Sequence, residues 1–422
     1  MKSLSKEREP AVSFRRYRDP DDRQAAERIW REVGWIGEEE KRQEEALATF
    51  LSGADVWLAE MRGSPECLVA TMPGTCRYLG RELRMRAVMA VTTSRVARKQ
   101  GLAGALVAHA LAEDARDGEV VSFLGMFDQG FYNRLGFGSG SYEHFMTFDP
   151  ASLCVEGRAR VPHRLTRENA KAVHRNRLRR RQAHGACSIL PEQATSAEMG
   201  FRKGGFGLGY FDADGELTHH LWAVAQGENG PYRVEWLAYE TPEQLLELLR
   251  LLKGLGDQVY AVQMKEPTGV RLQDLLSQPF RTRTLTRNGA MEQRWESYAY
   301  WQLRILDLEK ALAPTSVPGR GEISFNLRLT DPVARYVDTS SSWTGVAGEY
   351  VVTLGEVSHA RAGNVASLPT MSASINAFSR LWFAVAPATS LALTDELAAP
   401  WDLLEELDRF LCLPSPSLDW LF

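Results

Sequence analysis

The sequence predicts an α/β (α+β) protein in which helices cover mixed β-sheets. Strand-like and helix-like segments alternate through the first 150 residues, and residues 164–293 repeat that alternation more loosely. The chain has 422 residues, a length that suggests about three domains. The composition shifts near residue 298, so we expect domains over residues 11–150, 151–295 and 296–422.

The elements of the first region follow from residue type and spacing. A strand over residues 12–17 precedes Asp19, which can cap a helix whose first position is Pro20. That helix carries Ala26 and Trp30 on one face. The remaining elements are predicted by β-branched and aromatic runs or by an apolar stripe: strands over 55–60, 67–72, 83–93 and 120–124, and a helix over 102–116.

The same signals continue through the rest of the chain. They predict a helix over 170–182, a second helix that begins at Pro242 and carries a leucine run, and strands over 207–211, 219–225, 232–239 and 258–263. After residue 298 we expect a helix that includes Leu303, Ile305 and Leu312. It is followed by strands over 322–329 and 349–354, a polar loop over 338–348 between them, and mostly helical segments to the end.

Composition excludes several classes of function. A formal net charge of −4 gives no overall field that would attract nucleic acid or an anionic membrane, so we expect neither partner. No apolar run reaches the roughly 18 residues of a membrane span, and the first ten residues lack the apolar core of a secretory signal. The five cysteines lie far apart, so we expect reduced thiols, no metal site and a cytoplasmic protein.

The most informative segment leads from a strand into a helix at residues 91–106. Its turn reads Arg98-x-x-Gly101-x-Ala103. A helix N-terminus exposes unpaired N–H groups and a partial positive charge, small residues allow close approach, and Arg98 and Lys99 add charge. The pattern alone also fits an ordinary connection with a solvated basic turn. The position between strand and helix favours phosphate binding.

Arg-x-x-Gly-x-Ala between a strand and a helix resembles the coenzyme A pyrophosphate loop of the GNAT superfamily of N-acetyltransferases. Downstream, Phe131-Tyr132-Asn133-Arg134-Leu135-Gly136-Phe137 is similar to the FYxxxGF segment of that superfamily. The resemblance implies that Tyr132 is the general acid for the departing thiolate; the alternative is a buried aromatic that closes the sheet. It also implies that the co-substrate acetyl-CoA is bound by Val91, Thr93, Arg98, Lys99, Gly101, Leu102 and Ala103.

The long continuation after this segment is similar to the architecture of the Eis (enhanced intracellular survival) family. Residues 300–312 resemble the segment that opens the last domain of that family. The resemblance implies tandem GNAT folds with mixed central sheets, of which the second is degenerate, followed by a sterol-carrier-protein-like α+β domain. It also implies a homo-oligomer, a hexamer arranged as a trimer of dimers.

The family resemblance further implies that the C-terminal carboxylate, here that of Phe422, is the general base. The last residues are Asp419-Trp420-Leu421-Phe422, and burial of such an apolar tail would carry that carboxylate into the active site. The alternative is that these side chains merely fill a groove between domains. A basic run over residues 175–181 could bind RNA or a nucleotide, but its spacing favours a solvated helix face or a subunit contact.

Trp35 and Glu38 fall in the region that lines the acceptor pocket in the superfamily. An aromatic wall beside a carboxylate suits a cationic amine, although the acidic run over 38–40 also fits a solvated face. The resemblance implies acetyl transfer by direct attack of a small primary amine of the aminoglycoside, polyamine or lysine type. The alternatives are a lipid or small-molecule carrier with a non-catalytic GNAT scaffold, and a protein lysine acetyltransferase.

Overall fold

The computed structural model describes residues 12–38, 40–279, 289 and 291–421. The strands up to residue 189 are β1 (Val12–Arg16), β2 (Asp55–Met61), β3 (Ser64–Tyr78), β4 (Arg81–Thr93), β5 (Val121–Gly125), β6 (Gly138–Ser139), β7 (Glu143–Phe148), β8 (His163–Leu165) and β9 (Cys187–Ile189). The later strands are β10 (Gly205–Phe211), β11 (Leu217–Ala225), β12 (Tyr232–Ala238), β13 (Val262–Lys265), β14 (Arg294–Tyr298), β15 (Trp301–Ile305), β16 (Ile323–Thr330), β17 (Gly348–Leu354), β18 (His359–Ala362), β19 (Thr370–Ser374) and β20 (Leu397–Ala398).

The α-helices up to residue 201 are α1 (Arg23–Glu32), α2 (Lys41–Ser52), α3 (Leu102–Arg116), α4 (Gln129–Asn133), α5 (Ala170–Arg179) and α6 (Glu192–Phe201). The later helices are α7 (Pro242–Lys253), α8 (Leu308–Leu312), α9 (Ile375–Trp382), α10 (Ala388–Thr394) and α11 (Trp401–Phe410). The predicted helices over 102–116 and from Pro242 onwards are therefore confirmed.

Three sheets are formed by the described strands. Their orders are β1-β2-β3-β4-β5-β15-β6 with β9 paired to β3, β14-β7-β13-β12-β11-β10-β8, and β18-β17-β16-β19-β20. Each sheet contains a parallel pair, β4 with β5, β12 with β13 and β16 with β19, among antiparallel neighbours. The predicted mixed α/β fold is confirmed. Because β9 and β15 join the first sheet, strand pairing links the predicted regions, and their division into three domains stays a prediction.

β3 is longer than the sequence predicted because it continues through a proline and a glycine. It runs from Ser64 to Tyr78 and includes Pro73 and Gly74, two residue types that are unfavourable inside a strand. A Cβ atom on Gly74 would lie 2.5 Å from the carbonyl oxygen of Ser188 in β9. The glycine therefore allows the close approach of a strand that is remote in sequence.

The helix expected over residues 303–312 is wrong. Residues Trp301–Ile305 form β15, a fully buried strand between β5 and β6, and only Leu308–Leu312 are helical. A short apolar run can be a buried strand or a buried helix, and helical periodicity alone does not separate them. The polar residues Gln302 and Arg304 alternate with apolar residues, and this period of two was the signal for a strand.

The first and third sheets share one continuous hydrophobic core. Tyr78 of β3 stacks on Trp382 of α9 with ring centroids 4.5 Å apart, and its hydroxyl donates a hydrogen bond to the Trp382 carbonyl oxygen at 3.0 Å. Both side chains are buried. The C-terminal region is consequently a packing partner of the first sheet.

Neither a membrane-spanning helix nor a metal cluster is found among the described residues. None of their helices combines the length and the apolar character that crossing a bilayer requires. Within the same residues, no group of three or more His, Cys, Asp or Glu side chains is placed to hold a metal ion.

Candidate active site

A gap opens in the first sheet where two parallel strands part. β5 pairs with β4 only as far as Leu124 opposite Val88, whereas β4 continues to Thr93. A β-bulge lies just beyond this point, near Ala90, whose φ is +53°. Past the bulge, Val91 and Thr93 line a cavity of about 680 Å³, which we call the first cavity.

The turn after β4 completes the first cavity with the N-terminus of α3. Lys99 and Gly101 both adopt left-handed φ angles, +64° and +79°, a conformation that favours glycine at the second position. The first turn of α3 lines the cavity, and its backbone N–H groups have no partner within the helix. The predicted coenzyme-binding residues all line this one cavity: Val91, Thr93, Arg98, Lys99, Gly101, Leu102 and Ala103.

Basic side chains give the first cavity a positive charge. Arg98, Lys99 and Arg134 line it with exposed side chains. Asp128 also lines the cavity, but its carboxylate caps α4 by accepting hydrogen bonds from two backbone N–H groups, at 2.8 and 3.2 Å. Sequence reasoning missed Arg134, because the FYxxxGF pattern leaves that position unspecified. A positive surface at a helix N-terminus suits a diphosphate.

A second cavity of about 750 Å³ adjoins the first. Trp35, Val91 and Phe127 line both cavities, so the two spaces meet at the end of β4. Tyr132 lines the second cavity. Of the two predicted acceptor-side residues, Trp35 is at this junction, whereas Glu38 is exposed and is not among the described residues that line either cavity. Glu39 lies outside the described residues.

Tyr132 lies in α4 with its side chain almost fully buried, at 3% exposure. Its ring meets Phe131 and Phe127 edge-on, with centroids 4.8 and 5.8 Å apart. Burial raises the pKa of the Tyr132 hydroxyl above its ordinary value, and the nearby Cys67 acts in the same direction. The phenol therefore stays protonated at neutral pH, which is the form that a general acid needs.

Residues from the C-terminal third of the chain hold the segment that carries Tyr132. The side-chain amide of Gln302 donates a hydrogen bond to Asn133 Oδ1 at 2.6 Å. Asn376, in α9, donates to the backbone carbonyl oxygens of Asn133 and Phe137 at 2.9 and 2.7 Å. These bonds fix both ends of the turn that follows α4, and no local motif predicts them.

Gly136 of the same segment is packed against a buried ion pair. Arg304 and Asp331 meet at 2.7 Å with both side chains fully buried, and Arg304 also donates to the Leu135 carbonyl oxygen. A Cβ atom on Gly136 would lie 2.7 Å from Arg304 Nη1 and 2.9 Å from Ile375 Cγ2, and the φ of this residue is +85°. Both the backbone conformation and the packing therefore require glycine in the FYxxxGF segment.

Residues 416–421, which we call the tail, approach the second cavity along a path fixed by hydrogen bonds. The Leu418 backbone N–H donates to Glu143 Oε1 at 2.8 Å, and Trp420 Nε1 donates to Glu198 at 3.1 Å. The side chains of Leu418 and Trp420 are both buried. Leu421 lines the second cavity, and Phe422 lies outside the described residues.

Arg177 in α5 and Arg180 at the C-terminal end of α5 hold the tail. The predicted solvated helix face or subunit contact is therefore wrong for these two residues. The Arg177 guanidinium lies 3.7 Å from the centroid of the Trp420 ring. Arg180 donates two hydrogen bonds to Asp419, at 2.6 and 2.8 Å. Both side chains are buried. Arg177 and Arg180 are three residues apart and so share a helix face, but the tail residues that they contact, Trp420 and Asp419, lie more than 200 residues downstream in the sequence, where no local pattern indicates them.

The region that contains the first cavity matches a known family. Residues 14–140 match the family model described as acetyltransferase (GNAT) domain. No curated protein shows a significant match to the sequence.

Solved structures match nearly the whole chain at low identity. They include a probable N-acyltransferase from Enterococcus faecalis (TM-score 0.77), a GCN5-related N-acetyltransferase from Anabaena variabilis (TM-score 0.76) and Eis1 from Mycobacterium abscessus (TM-score 0.73). Each is 15% identical to this chain, and the match covers 98% of this chain and 100% of the other. At such identity the likeness shows a common fold. With the family match, it confirms the predicted GNAT-type tandem fold and the N-acetyltransferase class.

Proposed function

Because residues 14–140 form a GNAT acetyltransferase domain, we propose that the protein transfers the acetyl group of acetyl-CoA to a primary amine by direct attack. The junction of the two cavities carries this proposal, since Trp35, Val91 and Phe127 line both. An amine in the second cavity can therefore reach a thioester that enters from the first, without a covalent enzyme intermediate.

The first cavity fits coenzyme A in charge and shape. The N-terminus of α3 with Arg98, Lys99 and Arg134 would bind the diphosphate. Val91 and Thr93 continue β4 past its last pairing with β5, so their backbone groups are available to the amides of the pantetheine arm. Coenzyme A bound in this way would place the thioester at the junction, facing the second cavity that Tyr132 lines.

Two proton transfers complete the reaction. The amine nitrogen bonds to the acetyl carbonyl carbon, and the carbon–sulfur bond breaks as the tetrahedral intermediate collapses. Tyr132 gives its proton to the departing thiolate. We assign the general base to the carboxylate of Phe422, and the approach of the tail to the second cavity supports this assignment. A C-terminal carboxylate has a reference pKa of about 3.5, so a base role requires surroundings that raise it.

The finer identity rests on the whole-chain likeness. We propose an Eis-type enzyme of the cytoplasm, with a degenerate GNAT copy over residues 151–295, a sterol-carrier-like domain over 296–422 and a hexameric assembly. The likeness to Eis1 over 98% of this chain supports the architecture, and determination of the molar mass in solution tests the assembly. Aminoglycoside-, polyamine- and lysine-like amines are the acceptors to assay.

One apolar cavity inside the C-terminal region is too small for a lipid. The apolar cavity lined there by Leu312, Phe325, Leu354 and Trp382 has a volume of about 10 Å³. That is room for roughly one water-sized probe and far too little for a sterol or an acyl chain. The enzyme remains the function that the geometry supports best.

The test is release of coenzyme A thiol from acetyl-CoA in the presence of an amine panel, with mass detection of the acetylated amine. We expect amine-dependent thiol release that Tyr132→Phe lowers by about 10²-fold in kcat, since loss of a general acid typically costs about 10²–10⁴. Binding of acetyl-CoA to the variant, measured by calorimetry, should be nearly unchanged. No thiol release with any amine, or full turnover by the variant, would refute the proposal.

A further inference from the structure

The walls of the second cavity are rich in aromatic side chains. They include Trp30, Trp35, Phe50, Phe127, Phe201 and Trp236. Trp30 forms the centre of one cluster, because its ring lies 5.1 Å from Trp35, 5.8 Å from Phe50 and 5.7 Å from Phe201. Flat apolar surfaces of this kind favour a ligand with a flat apolar body.

Each carboxylate that lines the second cavity within the described residues already has a cationic partner. Glu198 pairs with Arg177 and accepts a further hydrogen bond from Trp420. Asp419 is bound by Arg180 through both of its oxygens, at 2.6 and 2.8 Å.

The third of these carboxylates belongs to Glu235 on β12. It pairs with Arg233 of the same strand at 2.5 Å. Arg202, a further cation, lines the cavity with an exposed side chain. The wall therefore contains no described carboxylate that is free to bind the extra ammonium groups of a polycation.

We infer that the preferred acceptor is a primary amine carried on an aromatic or similarly flat apolar group, with one cationic centre. This inference rests on the proposed acetyl transfer to a primary amine, and among the acceptors to assay it disfavours the polycationic aminoglycosides and polyamines. The aromatic rings can stack on the body of the acceptor and can stabilise a single ammonium through their π faces. A second or third ammonium group would lose water without gaining a carboxylate partner, which is unfavourable.

The first experiment compares phenethylamine with putrescine, a diamine of similar length, using the full chain and acetyl-CoA. We expect kcat/KM for phenethylamine to exceed that for putrescine by about tenfold or more. The ring of phenethylamine gains an aromatic contact, whereas the second ammonium group of putrescine finds no carboxylate partner. Equal or higher kcat/KM with putrescine or spermidine would overturn the inference while leaving the proposed function standing. Absence of thiol release with every amine would overturn both.

A variant that frees a cavity carboxylate gives a sharper result. Arg233→Gln removes the partner of Glu235 without touching the aromatic walls, so kcat/KM for putrescine should rise by about threefold or more relative to phenethylamine. Arg164→Gln removes an exposed cation from β8 of the same sheet and should leave this ratio unchanged. An unchanged ratio in Arg233→Gln, with wild-type activity towards phenethylamine, would contradict the idea that paired carboxylates set the preference.

Discussion

Tyr132 and Asp114 are both buried titratable residues of the first region, and burial raises the pKa of each. Tyr132 faces the second cavity, whereas Asp114 of α3 faces the sheet. Asp114 Oδ1 accepts a hydrogen bond from Thr71 at 3.2 Å and lies 3.5 Å from Arg86 Nε, but its Oδ2 has no hydrogen-bond partner. Burial accordingly raises the pKa of Asp114 to about 8 despite the nearby guanidinium.

The Asp114 carboxyl should make stability depend on pH. Its pKa is raised in the folded state, so between about pH 4 and pH 8 the folded protein holds a proton that unfolding releases, and stability falls as pH rises. In Asp114→Asn this fall in stability with rising pH should disappear. The free energy of unfolding of the variant should therefore increase, relative to that of the wild type, by up to about 1.4 kcal/mol for each pH unit. Urea unfolding at several pH values from 5 to 8 measures the difference. Asp117→Asn, at an exposed site after the same helix, is the control, and parallel curves for Asp114→Asn and wild type would contradict the assignment.

At the scale of helices and strands, the sequence predicts the features that depend on residues close together in the chain. The turn between β4 and α3 was found because strand, basic turn, glycine and helix follow one another within residues 91–106, and its residues do line one cavity. At β15 the sequence predicts a helix, because the strand partners β5 and β6 lie more than 160 residues away and leave no local signal. The support of α4 by Gln302 and Asn376 was missed for the same reason.

That support should affect turnover more than cofactor binding. Asn376→Ala removes the two hydrogen bonds to the carbonyl oxygens of Asn133 and Phe137. We expect a loss of roughly 1–3 kcal/mol in the free energy of unfolding. We also expect kcat to fall by about tenfold, because Tyr132 becomes less well placed, with little change in KM for acetyl-CoA.

The matched control for Asn376 is Asn229. Its side-chain amide donates a hydrogen bond to the Gln258 carbonyl oxygen at 2.9 Å, at an exposed position. Asn229→Ala should lower kcat little or not at all. If Asn376→Ala shows the expected loss in the free energy of unfolding but keeps full kcat, then the two hydrogen bonds support the fold and do not position Tyr132.

At the scale of the whole molecule, the site combines parts of all three predicted regions. The first region supplies the loop and Tyr132, α5 and its C-terminal end supply Arg177 and Arg180, and the C-terminal region supplies the tail. The apolar composition of the last residues predicted their burial, which is confirmed for Trp420. Their route was not predictable, because it depends on ion pairs between segments that only the folded chain brings together.

We propose that the tail brings the Phe422 carboxylate to the cavity that Tyr132 lines, and insertion of one glycine after Leu421 tests this proposal most directly. The insertion displaces that carboxylate by about 3.5 Å, so kcat for amine acetylation should fall by about 10²-fold while acetyl-CoA affinity is retained. Phe422→Leu, which keeps the carboxylate at its original distance, should stay within a few-fold of wild type. Full turnover by the glycine insertion would show that the Phe422 carboxylate is not the general base.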